Sequence, residues 1–138
     1  MPTKTITIDG IPKGQPRPRF ANRGSFVKVY NPDAKLDKKI KAIIAEQVDF
    51  EIIEGAVEVG MIFYMPIVKS TSKKNRALMI SNDIKHVKKY DIDNLEVKML
   101  NCMSKIAYVD DNQVWKLNSV KLYSENPRVE IKLKWENS

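Results

Sequence analysis

Residues 90–106 read YDIDNLEVKMLNCMSKI, and their spacing decides how the chain folds. Leu95, Met99, Cys102, Met103 and Ile106 recur three and four residues apart, the interval that stacks side chains on one face of an α-helix. Val97 and Leu100 fall on a second side, near that of Asp93. A helix apolar on two sides sits in the middle of a fold or against a partner. Residues from about 93 to 106 are therefore expected to form a buried helix. Just ahead of it stand Asp91 and Asp93. In an extended approach, residues i and i+2 point the same way, and two neighbouring carboxylates repel unless something positive lies between them. A structural reading stands beside this one. Asp93 with Glu96 three residues on has the pattern of a capped helix start.

Working outward, residues 3–8 (TKTITI) alternate and are β-branched, which predicts a first strand. DGIPKGQPRPRF (9–20) follows, with three prolines and two glycines that forbid a helix. NRGS (22–25) predicts a hairpin turn into a short strand, FVKVY (26–30). Asn31 is the expected N-cap of a helix with Pro32 in its first position. Leu36, Ile40, Ile43, Ile44 and Val48 carry that helix over about residues 32–48. AVEVGMIFYM (56–65) predicts a second strand stopped by Pro66. The weakly periodic stretch 69–89 reads as a long loop, a length uncommon unless functional or disordered. QVWKLNSVKLY (113–123) and RVEIKLKW (128–135) alternate around the turn SENP, which predicts a terminal hairpin. The order is β-α-β-α-β-β, an α/β (α+β) fold with a small mixed sheet covered by two helices, in one domain over residues 1–138.

The charge is unevenly placed. Residues 10–32 hold Lys13, Arg17, Arg19, Arg23 and Lys28 with no acid. Residues 69–89 hold Lys69, Lys73, Lys74, Arg76, Lys85, Lys88 and Lys89 against Asp83 alone. The two segments carry more positive charge than the whole chain's net +7, the footprint of a polyanion-binding surface. Arg17, Arg19, Arg23 and the seven cations of the second segment are the expected contacts to such a polyanion. Neither segment has the amphipathic pattern of a membrane-surface helix, and no run reaches the roughly 18 apolar residues of a membrane span. The N-terminus lacks a signal-peptide hydrophobic region. A single cysteine, Cys102, excludes an internal disulfide and a cysteine-based zinc site, so a cytoplasmic setting is expected. Cys102 lies on the apolar stripe and is expected in the core. His86 reads as a loop residue rather than a metal ligand, and Trp115 and Trp135 as packing residues of strands.

A second acidic cluster, VDDNQV (109–114), follows the buried helix. Asp110 and Asp111 with Asp91 and Asp93 supply the hard oxygen ligands that Mg²⁺ prefers. An EF-hand is excluded, because Glu96 and Cys102 occupy its glycine and glutamate positions. A helix of this length is near 20 Å long, so the clusters meet only if it ends early or a dimer brings them together.

HVKKYDIDNLEVKML followed by AYVDDNQV resembles the RusA family of Holliday junction resolvases (crossover junction endodeoxyribonucleases), and KGQPRPRF and VYNP look like that family's N-terminal basic loop. The resemblance implies a homodimeric, Mg²⁺-dependent endonuclease, with Mn²⁺ as a substitute. Its implied role is to resolve four-way junctions by paired cuts in DNA recombination and repair, in bacteria or their phages. By position it implies Asp91, Asp93 and Asp111 as catalytic metal ligands, with Asp110 beside them. Gln113 matches a recurrent polar position of unassigned role. Two departures stand out. The family's helix lysine falls at Val97 here, with Lys98 one step late as the expected catalytic lysine and Lys88 or Lys89 as substitutes. Tyr90 stands where many members have proline. A branched-DNA-binding protein without cleavage and a general branched or flap nuclease are the competing readings.

Overall fold

The computed structural model describes residues 1–16, 19–24 and 26–136; for residues 19–23, 26 and 28 it describes the backbone alone. Strands β1 (Thr3–Asp9), β4 (Val57–Pro66), β5 (Val114–Ser124) and β6 (Arg128–Trp135) make one mixed sheet in the order β1-β6-β4-β5. Strands β2 (Arg19–Arg23) and β3 (Phe26–Tyr30) pair separately as an antiparallel ribbon. Helices α1 (Ala34–Gln47) and α3 (Ile92–Met103) pack on each other, and α2 (Lys73–Ile80) lies against β5. This is the expected α+β class, with the basic hairpin present and one helix more than the two expected.

Alternation places the core. Val57, Val59, Met61, Phe63 and Met65 of β4 are all buried, as are Ile6 and Ile8 of β1 and Val129, Ile131, Leu133 and Trp135 of β6. They meet Ile40 and Ile44 of α1 and Leu95, Met99, Cys102 and Met103 of α3. Each such side chain contributes about 1.5–3 kcal/mol relative to exposure. Cys102 is in the core as expected, and burial pushes its thiol up to about 11.

Several details differ from expectation. Residues 69–89 are not all loop. Ser72 caps α2, its side chain accepting from the Asn75 N–H at 3.2 Å. None of the helix is buried, so no apolar stripe announces it. The N-cap of α1 is Asp33, two residues past Asn31. Asn31 instead accepts from the Asp33 N–H at 2.9 Å, the local turn that asparagine favours. The terminal hairpin does not form. β4 inserts between β5 and β6, parallel to the first and antiparallel to the second. β4 ends at Pro66, level with Ser124, so the SENP turn passes over its end. Trp135 packs against Phe50 at 4.7 Å between ring centroids, whereas Trp115 is 67% exposed rather than packed. No helix among the described residues is long and apolar enough to cross a membrane.

Candidate active site

The approach to α3 lies along β5. Successive alternate residues of a strand share a face, and Ser119, Lys121 and Tyr123 oppose Met61, Phe63 and Met65 of β4 on the helix-covered side. Tyr123 meets His86 edge-on at 4.8 Å. The Lys121 ammonium donates to the carbonyl oxygens of Lys88, at 2.9 Å, and Tyr90, at 2.8 Å. Asp91 and Asp93 then open into a depression of about 530 Å³ shared with His86, Ser119, Val120 and Lys121.

Both carboxylates are exposed. Asp91 is the N-cap of α3 in extended conformation, yet its side chain makes no capping hydrogen bond. Asp93 accepts from the Asn94 N–H at 2.9 Å, which leaves most of its lone pairs free. The capped-helix reading puts the cap at Asp93, whereas the N-cap is Asp91, two residues earlier, and its carboxylate does no capping. The basic N-terminal segment docks on the start of α3, at Tyr90 and Asn94. Gln15 N–H donates to Asn94 O at 2.9 Å, and Gly14 is buried against the same residues. A Cβ on Gly14 would lie 3.0 Å from Tyr90 Cδ1 and 3.1 Å from Asn94 Cβ. Gly14→Ala is expected to lower stability by about 1–3 kcal/mol through this overpacking and to weaken DNA binding by lifting the segment. Urea unfolding and a DNA titration check it, and unchanged binding would contradict it.

Asp110 and Asp111 stand elsewhere. Helix α3 ends at Met103, three residues earlier than expected. The chain then turns back so that buried Tyr108 donates its hydroxyl to Leu100 O at 2.7 Å. Burial, then the charges of Asp111 and Asp110, push the Tyr108 hydroxyl well above its ordinary range. The two acids thus lie by the C-terminal end of α3, while Asp91 stands at its N-terminal end. Twelve residues of helix separate the clusters by roughly 15–18 Å. Among the described residues, no three of His, Cys, Asp and Glu come together as a metal site within the chain.

Gln113 now has a role. Its amide N–H groups donate to Ile53 O at 2.8 Å and Gly55 O at 2.9 Å. Its amide oxygen accepts from Val109 and Asp110 N–H at 2.9 and 2.8 Å. All four hydrogen-bonding positions of the amide are used, and they fix the turn that carries Asp110 and Asp111 to the start of β4. Gln113→Leu is expected to destabilise by about 1–3 kcal/mol. It is also expected to reduce any activity that depends on Asp111 by about 10–100-fold, the usual effect of losing a ligand-orienting partner. Thermal unfolding with single-turnover kinetics checks both, and full activity would contradict the second.

Lys98 is corrected by its surroundings. It is fully buried, with its ammonium 3.0 Å from Asp33 Oδ2 and 2.6 Å from Asp37 Oδ1. Lys13 reaches the other Asp33 oxygen at 2.8 Å, and Asn31 donates to Asp37 at 2.8 Å. Burial pushes the Lys98 ammonium down in pKa, and the hydrogen bonds it donates to Asp37 and Asp33 more than reverse it. Burial likewise pushes Asp33 up, and Lys13 and Lys98 bring it below its ordinary value. Lys98 therefore ties α3 to the start of α1 and offers no surface to a phosphate. Val97, at the position expected for lysine, is exposed.

Among the expected DNA contacts, Lys69, Lys73, Lys74, Lys85, Lys88 and Lys89 are exposed, with Lys89 over the Tyr90 ring at 4.8 Å. Arg76 is committed instead to an ion pair with Glu125 and to Val68 O. Arg17 lies outside the described residues, and the side chains of Arg19 and Arg23 likewise. His86 lies in a loop, as expected, and is buried there. Burial and the Lys121 charge hold its pKa below the usual 6.5.

Residues 9–134 match the family model of the endodeoxyribonuclease RusA, so the chain belongs to the RusA family of endodeoxyribonucleases. It is also 34% identical over 133 residues to the uncharacterised protein YqaN of Bacillus subtilis (strain 168), covering 94% of both chains.

Proposed function

We propose that the protein is a Mg²⁺-dependent, structure-specific endodeoxyribonuclease that resolves four-way DNA junctions by paired, symmetric cuts. The carrying observation is the Asp91–Asp93 pair, exposed and free of capping, beside the docked basic segment. The donor set suits a hard cation, because carboxylate oxygens with open lone pairs and room for retained waters are what Mg²⁺ takes. One chain supplies two such groups at one end of α3 and Asp110 and Asp111 at the other. We therefore assign the protein as a two-fold dimer in which Asp111, with Asp110, from one subunit completes the Asp91–Asp93 site of the other. Mg²⁺, or Mn²⁺ in its place, supplies Lewis-acid activation of water and of the scissile phosphate when bound. The lysines of residues 69–89 hold flanking phosphates, which makes binding strongly salt-dependent. Two sites related by two-fold symmetry suit a substrate with near two-fold symmetry. A protein acting on bacterial or phage DNA works in the cytoplasm.

Buried Lys98 and exposed Val97 favour one competing reading, a junction-binding protein that does not cut. Synthetic junction, fork and linear duplex DNA, compared with Mg²⁺ present, separate the possibilities. Paired cuts in the junction alone support resolution. Equal cutting of forks supports a general branched-DNA nuclease, and binding without cutting under any divalent ion supports the competing reading.

A further inference from the structure

Residues 86–91 run without regular secondary structure into α3, so their backbone carbonyls need partners from outside the segment. Lys121 supplies them. Its ammonium carries three N–H donors, of which one goes to Lys88 O and one to Tyr90 O. The Tyr90 carbonyl belongs to the same planar peptide unit as the Asp91 nitrogen. Fixing that carbonyl fixes the plane from which Asp91 projects. The next contacts along β5 extend the support, with Tyr123 against His86 and Ser119 lining the depression beside Asp91 and Asp93. Lys121 itself also lines that depression. Lys98 does not serve, since both its acidic partners lie in the first turns of α1 and at its cap.

We propose that Lys121 is the positioning residue of this site, holding the 88–91 backbone so that Asp91 is aimed into the depression. The assignment rests on the nuclease reading for its purpose, and it is tested without cleavage. Lys121→Met keeps an aliphatic stem and removes the donors; Lys121→Arg keeps a cation with N–H donors enough for both carbonyls. Hydrogen exchange of amides 88–91 is expected to quicken about tenfold or more in Lys121→Met, with little change in the β4 and β6 amides. Mn²⁺ affinity, measured by calorimetry on the protein alone, is expected to fall about 10–100-fold. Lys121→Arg is expected to restore most of both. Natural exchange across 88–91, or natural Mn²⁺ affinity, in Lys121→Met would overturn the assignment. So would exchange that rises uniformly along the chain with a lowered Tm, because that marks a general stability role. A natural protein that binds Mn²⁺ but cuts no DNA removes the nuclease reading and leaves Lys121 judged by exchange and affinity.

Discussion

Asp91→Asn is expected to lower the single-turnover rate of junction cleavage by about 10³-fold or more while leaving junction affinity unchanged or improved. The substitution keeps the shape of the side chain and removes its charge. Asparagine is as good an N-cap as aspartate, and the Asp91 carboxylate makes no capping bond to lose, so stability should move by no more than about 0.5 kcal/mol. A neutral group next to the DNA path also removes a repulsion with phosphate. Rate and stability therefore separate cleanly at this position. Quenched single-turnover assays with Mg²⁺, and binding measured with Ca²⁺ in its place, read the two quantities. A variant cutting within tenfold of the natural rate would contradict the role given to Asp91.

Lys98→Met is expected to have the largest effect on stability, a loss of about 3–5 kcal/mol, because it removes a buried cation shared by a buried and a half-buried carboxylate. Asp33 retains Lys13 and Asp37 retains Asn31, which favours the lower end of that range. Adding Asp33→Asn and Asp37→Asn to Lys98→Met should recover part of the loss, since breaking a buried pair is worse than removing it whole. The pH dependence follows from the shifts. Asp33 is depressed in the fold, so its contribution is present above its ordinary 3.8 and is lost as pH falls through the lower folded value. Lys98 is raised, so its contribution is present below its ordinary 10.5 and is lost as pH rises through the higher folded value. The gap between natural protein and Lys98→Met should thus be flat across neutral pH and narrow at both extremes. Urea unfolding at pH 3, 7 and 11 measures it. A gap under about 1 kcal/mol at pH 7 would show that the network is not the tie between α1 and α3.

The sequence made the sheet and the two large helices legible because each buries one face. Strand β4 alternates without a break, and Leu95, Met99, Cys102 and Met103 mark α3 by spacing alone. Helix α2 lay hidden because none of its residues is buried, leaving only Ser72 as a local signal. The position of β4 between β5 and β6 is a matter of long-range pairing, which the SENP turn does not encode. The same limit applies at the site. Asp91 and Asp93 were visible as a pair one residue apart. Lys98 stood out only as a lysine one step late, and nothing in its spacing showed that the start of α1 covers it. Lys121 looked like any cation on an alternating strand, because its acceptors lie 31 and 33 residues away. Gln113 had a matching position but no role until Ile53 and Gly55 were seen beside it.

The most direct test of the account is a crystal structure of the protein with Mn²⁺, read by anomalous scattering. The account predicts a peak about 2.0–2.2 Å from carboxylate oxygens of Asp91 and Asp93, with Asp111 of a two-fold-related subunit completing the ligand set. A peak held by other residues, or none at Asp91 and Asp93 at saturating Mn²⁺, would contradict it.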